Sequence, residues 1–182
     1  MKLNDGENFI QGKARSISKD CAYIAVFVAL TIAAQLCFSA IPGVELVTIL
    51  FVSFSFAFGS RRGMLAATVF SLLRQLVFGF FLSVLVLYLL YYNMLAWLFG
   101  FLGKRMSCKS KNLPLLTGIA CVCTVGFTML DNVITSLWLG YSGRMFKLYF
   151  MASLSFMVPQ VICTAVTVSI LFLPLVKIFR KI

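Results

Sequence analysis

The chain has 182 residues, of which 62% are hydrophobic and only 12% charged, and 16 Lys and Arg against 5 Asp and Glu leave a net charge of +11. A water-soluble domain is about 45–50% apolar and about 25% charged, so a soluble fold is excluded and lipid is the expected solvent. The cations lie in short segments between apolar runs, with no exposed basic stripe interleaved with aromatics, which excludes nucleic acid as a partner and makes the charges topology signals and anionic-lipid contacts.

In chain order, residues 1–20 are polar and end in the basic cluster Lys13, Arg15 and Lys19, a cytoplasmic N-terminal segment. The apolar run 21–40 follows. It is long enough to cross a bilayer, and bulky Phe38 near its end argues against signal-peptide cleavage, so it reads as a retained first span. A Pro42-Gly43 turn carrying Glu45 leads to span two at 46–58, and the turn around Arg61 and Arg62 leads to span three at 64–79. Span four covers 82–103, a basic loop from Lys104 to Lys111 follows, and span five covers 113–139. Span six, 146–178, exceeds the roughly 20 residues needed to cross, so it is tilted, kinked at Pro159 or partly interfacial. The expected fold is therefore all-α: a six-helix transmembrane domain over 21–182, in which spans two and three are short, so that four or five spans are the alternative. Thirteen of the sixteen cations fall on one side, which the positive-inside rule makes cytoplasmic, with both termini inside.

A polar side chain inside lipid is expensive and marks a candidate site. Arg74 lies about 8 Å from the outer end of span three and Asp131 roughly 12 Å from that of span five, at 1.5 Å per residue. Similar depth and opposite sign suit either a structural ion pair or a pair lining an outward pocket. On span five Thr117, Thr124, Thr128, Asp131, Thr135 and Trp138 recur at helical steps, and on span six Ser153, Gln160, Thr164 and Thr167 do the same. Span four offers Asn93 and Trp97 one turn apart. Glu45 either caps helix two, whose N-terminus favours negative charge, or belongs to a loop closing over ligand. The pocket set expected from polarity and depth is thus Glu45, Arg74, Asn93, Trp97, Thr128, Asp131, Thr135, Gln160 and Thr164.

Other chemistry is excluded by what is missing. With no histidine the usual general base is absent, and Asp131 is the only carboxylate well inside a span. There is no Gly-rich phosphate loop, and Cys121-x-Cys123 lacks the spacing of common metal or redox motifs, so the six cysteines read as small hydrophobes and no metal or cofactor is expected. The chain is not expected to be an enzyme.

One family matches these features. The size, the six spans with both ends inside, Ala25-x-x-x-Ala29-x-x-x-Ala33 in span one, Ile41-Pro42-Gly43-Val44-Glu45-Leu46-Val47-Thr48 at the next turn, and Ala57-Phe58-Gly59 before a basic turn resemble the substrate-binding S components of energy-coupling factor (ECF) vitamin transporters. The resemblance covers the chain from about Lys13 onward. It implies a prokaryotic plasma-membrane subunit that binds a vitamin or similar micronutrient in an outward pocket. It also implies that Ala25, Ala29 and Ala33 dock onto a transmembrane coupling protein driven by two cytoplasmic ATPase subunits. The alternative class is a membrane scaffold or assembly subunit with no ligand.

Overall fold

The computed structural model describes residues 3–41, 46–106, 108 and 110–181, with side chains from Ser18 onward. Six α-helices follow in order: α1 (Leu3–Phe38), α2 (Val47–Phe58), α3 (Ser60–Phe78), α4 (Leu82–Arg105), α5 (Leu113–Leu139) and α6 (Arg144–Phe179), with a short 3-10 turn, Ser110–Asn112, before α5. No strand occurs among the described residues. Every expected span coincides with a helix. The first helix begins at Leu3, so its backbone is continuous from the charged segment into the apolar run.

Four helices are each long and apolar enough to cross a membrane: α1 from Ser18, α4, α5 with its preceding turn, and α6. The other two are different in kind. Helix α2 has 12 residues, about 18 Å of rise, which is short of the hydrocarbon thickness. Val47 through Phe56 are all buried, and a helix apolar all round is a core helix. The other helices surround it, so α2 needs no lipid contact and no membrane-spanning length. Helix α3 has 19 residues but carries Arg61, Arg62 and Arg74. It starts at Ser60 and takes both arginines of the expected turn into its first turn, because the α2–α3 connection is the single residue Gly59 at φ 88°. Cations at a helix N-terminus oppose the dipole. Arg62 is balanced by Asp20 of α1 at 2.8 Å, the one ion pair among the described residues.

Close approach of backbones fixes this end of the molecule. A Cβ on Gly100 of α4 would collide with the backbone of Ser60, and one on Gly103 with the Phe56 carbonyl. These glycines let α4 lie directly against the α2–α3 turn, as small residues do between helices in lipid. Above them the core is aromatic. Phe27 stacks on Phe54 at 4.0 Å between centroids, and Phe51 packs against Phe70 at 5.2 Å and Tyr92 at 4.9 Å. Many large apolar side chains, among them Leu76, Leu137, Val122 and Ile170, are exposed, as the surface of a bundle in lipid requires.

Helix α6 runs 36 residues without interruption past Pro159 and Pro174, roughly 54 Å of rise. Helix α5 ends at Gly140 in the left-handed conformation (φ 66°, ψ 26°), where the Tyr141 amide donates to the Ser136 carbonyl at 2.9 Å.

Gly100→Ala and Gly103→Ala are expected to destabilise the bundle by about 1–3 kcal/mol each through overpacking. Gly118→Ala, where an added Cβ meets nothing within 4 Å, should leave stability unchanged or slightly raised. Thermal unfolding of the purified variants in detergent checks this ordering.

Candidate functional site

Residues near the C-terminal ends of α1 and α3 and the N-terminal end of α2 come together with α4, α5 and α6 around one space. A cavity of about 390 Å³ opens there, within the range of small-molecule sites. Its walls include Gln35 and Phe38 of α1, Arg74 and Phe78 of α3, Tyr88 of α4, Phe127 of α5, and Phe156 and Gln160 of α6. Phe127, Phe156 and Gln160 also border a second cavity of about 300 Å³, which adds Thr128, Asp131, Tyr149, Ala152 and Ser153. The two spaces therefore adjoin across three shared side chains.

The first space is aromatic with charged and amide groups at its edge. The Arg74 guanidinium lies over the Tyr88 ring, 4.3 Å from its centroid, and 5.0 Å from that of Phe78. Cation–π contact of this kind helps to accommodate a cation away from water. Gln35 Nε2 donates to the Tyr88 hydroxyl at 3.2 Å. Arg74 Nε and Gln35 Oε1, a donor and an acceptor, are buried with no hydrogen-bond partner among the described residues. Buried polar groups are nearly always paired, so such atoms on a cavity wall are the chemistry expected of a ligand site.

The second space is polar and built on the α5–α6 hairpin. Both oxygens of Asp131 accept hydroxyl hydrogen bonds, from Thr135 at 3.0 Å and Tyr149 at 3.5 Å. Along the hairpin the two helices are cross-linked. Asn132 Nδ2 donates to Ser153 Oγ at 2.7 Å, Thr128 Oγ1 to Gln160 Oε1 at 3.5 Å, and the Thr124 and Thr164 hydroxyls meet at 3.1 Å. These three rungs give the polar stripes a structural use as well, since polar pairs between helices in lipid stabilise by about 0.6–2 kcal/mol.

Of the residues expected from sequence, Arg74, Thr128, Asp131 and Gln160 line the paired cavities, Thr135 supports Asp131, and Thr164 sits below as a rung. Asn93 and Trp97 lie elsewhere. Asn93 accepts from Thr68 at 3.3 Å and donates to its own helix at Leu89, while Trp97 is 57% exposed on the outer face of α4. Trp138 likewise faces outward. Glu45 falls outside the described residues, although Ile41 and Leu46 on either side of that turn both line the first cavity. The ion-pair alternative for Arg74 and Asp131 is overturned. No bridge forms between them, because they belong to different cavities and each already has neutral partners.

Sequence reasoning missed Gln35, Tyr88, Phe127, Tyr149 and Phe156. Gln35 carried the same signal as Gln160, an amide inside an apolar run, whereas the aromatics carried none that separates cavity wall from core. The inward line of α5 also differs from the expected stripe: Leu116, Ala120, Thr124, Thr128, Asn132 and Ser136 are buried at strict four-residue steps. On α1, Ala25, Ala29 and Ala33 are all exposed.

A double-mutant cycle on thermal stability in detergent should find little coupling between Arg74→Met and Asp131→Asn, below about 0.5 kcal/mol, as for residues that share no partner. Coupling above about 1 kcal/mol would restore the ion pair.

Compared with known proteins, residues 16–181 match the family model described as ECF-type riboflavin transporter, S component. No curated protein and no solved structure matches.

Proposed function

The chain belongs to the S component family of ECF-type riboflavin transporters, and on that premise we propose that it captures riboflavin at the outer face of a prokaryotic plasma membrane for import. As an S component it is a membrane transport subunit that binds substrate and is not an enzyme; ATP hydrolysis belongs to partner subunits.

The observation that carries the choice of ligand is the two-part cavity. Riboflavin joins a flat tricyclic ring, whose edge alternates carbonyl acceptors with an N–H donor, to a chain of four hydroxyls. The aromatic space bounded by Phe78, Tyr88, Phe127 and Phe156 suits the ring, since stacked and edge-on aromatic contacts favour a flat π-system. Arg74 Nε and Gln35 Oε1 supply the donor and acceptor that its edge requires. The second space offers Thr128, Asp131, Tyr149, Ser153 and Gln160 to the hydroxyl chain. A small number of polar groups in an apolar recess is the common form of a vitamin site.

Orientation and docking complete the reading. Lys19, Arg61, Arg62, Lys104, Arg105, Lys177, Arg180 and Lys181 gather at the end opposite the cavity, which supports a cytoplasmic placement of that end and an outward-facing site. The exposed Ala25, Ala29 and Ala33 offer a smooth helical face on which the backbone of another transmembrane helix can approach closely. This face docks on the transmembrane coupling protein, which two cytoplasmic ATPase subunits drive.

Purified protein in detergent should quench flavin fluorescence saturably. Arg74→Ala should weaken binding by roughly 10–100-fold, the loss of a charge-assisted hydrogen bond. Absence of quenching and of thermal stabilisation by riboflavin or other vitamins would favour a ligand-free scaffold. For the docking face, Ala29→Leu should bind riboflavin normally yet fail to support uptake in cells carrying the energising subunits. Normal uptake by that variant would sink the docking assignment.

A further inference from the structure

Among the residues lining the second cavity, Asp131 alone is charged; no Lys or Arg is among them. Its carboxylate is held in place by Thr135 and Tyr149, both of which donate to it, and among the described residues no cation lies within ion-pair distance. Arg74, the cation of the neighbouring space, is committed to the Tyr88 and Phe78 rings at the other end. The hydroxyl-binding end of the site therefore carries an uncompensated acceptor charge inside a low-dielectric bundle.

Resting on the flavin reading above, we infer that Asp131 is a specificity residue that admits the free hydroxyl terminus of the vitamin and rejects its phosphate ester. A neutral polyol brings O–H donors, which a carboxylate accepts well. A phosphomonoester brings about −1.5 to −2 charge at neutral pH and acceptor oxygens, for which Asp131 has no donor to offer. Like charges at close range in a medium of reduced dielectric repel strongly, and the walls supply no counter-charge to relieve them. Selectivity here comes from a repulsive element aimed at the competitor, which is an effective way to separate two ligands that share every other contact. Thr128, Ser153 and Gln160 serve both ligands equally and provide no such discrimination.

The test compares riboflavin with riboflavin 5′-phosphate by fluorescence quenching of the wild-type protein at pH 7.5. The phosphate ester should bind at least about tenfold more weakly. In Asp131→Asn the gap should close to about threefold or less, chiefly because the phosphate ester binds more tightly, while Asp131→Glu should retain it. Ala152→Lys, which puts a cation on the same wall without removing the Asp131 hydrogen bonds, should raise affinity for the phosphate ester alone. A gain of affinity is a result that mere loosening of the fold does not produce. Equal binding of both flavins by the wild type overturns the inference and leaves the flavin reading standing. An unchanged gap in Asp131→Asn together with no gain in Ala152→Lys overturns it as well, as does selective loss of the phosphate ester in Arg74→Ala, which would put the phosphate at the other end. Binding of neither flavin removes the flavin reading and the inference with it.

Discussion

The rest of the structure depends on the burial of α2. A twelve-residue helix is too short to cross a bilayer, and it persists because protein surrounds it through Phe56. That enclosure rests on the contact of α4 with the α2–α3 turn, where Gly100 and Gly103 bring two backbones together and Gly63 lies against Ser55 and Ala96. Small residues draw the helices together at this end. At the other end the facing side chains are large, Phe38, Phe78, Tyr88, Phe127 and Phe156, and the space between them is the cavity. One molecule thus has a tight end and an open end, set by side-chain size.

Polar groups in this bundle are accommodated in three ways, and the differences separate support from site. Threonines such as Thr31 and Thr167 bond carbonyls one turn back on their own helix. The rungs between α5 and α6 pair polar groups across helices. Arg74, by contrast, rests on aromatic faces, and its Nε, like the Oε1 of Gln35 on the same cavity wall, has no partner among the described residues. The third kind leaves a donor and an acceptor unpaired among the described residues, open to a molecule from outside. The same hairpin therefore holds the two helices together and presents Asp131 to the second cavity.

Much of the architecture was legible from the chain. Six helices appear where the apolar runs lie, because a backbone in lipid must satisfy its own hydrogen bonds and helices do so locally. The shortness of the second run was also legible, though not its cause, since burial on every side depends on neighbours distant in sequence. The site was legible in part. Arg74, Thr128, Asp131 and Gln160 stood out because polarity in lipid is costly wherever it occurs. Asn93 stood out for the same reason and is explained instead by Thr68, a partner on another helix. Trp97 and Trp138 stood out as flat rings, yet they face outward, where an indole suits a membrane-exposed surface equally well.

By itself the sequence determined the solvent, the helical class, the order of the apolar segments and the distribution of charge, because each follows from composition and local periodicity. Its resemblance to the S components pointed to the family that residues 16–181 match. Only the tertiary structure decided which polar residues face one another. It separated Arg74 from Asp131, joined their two cavities through Phe127, Phe156 and Gln160, and brought Gln35 and Tyr88 into the site. The reason is geometric: helical periodicity gives the direction of a side chain about its own axis, whereas a pocket is set by the rotation of several axes against each other.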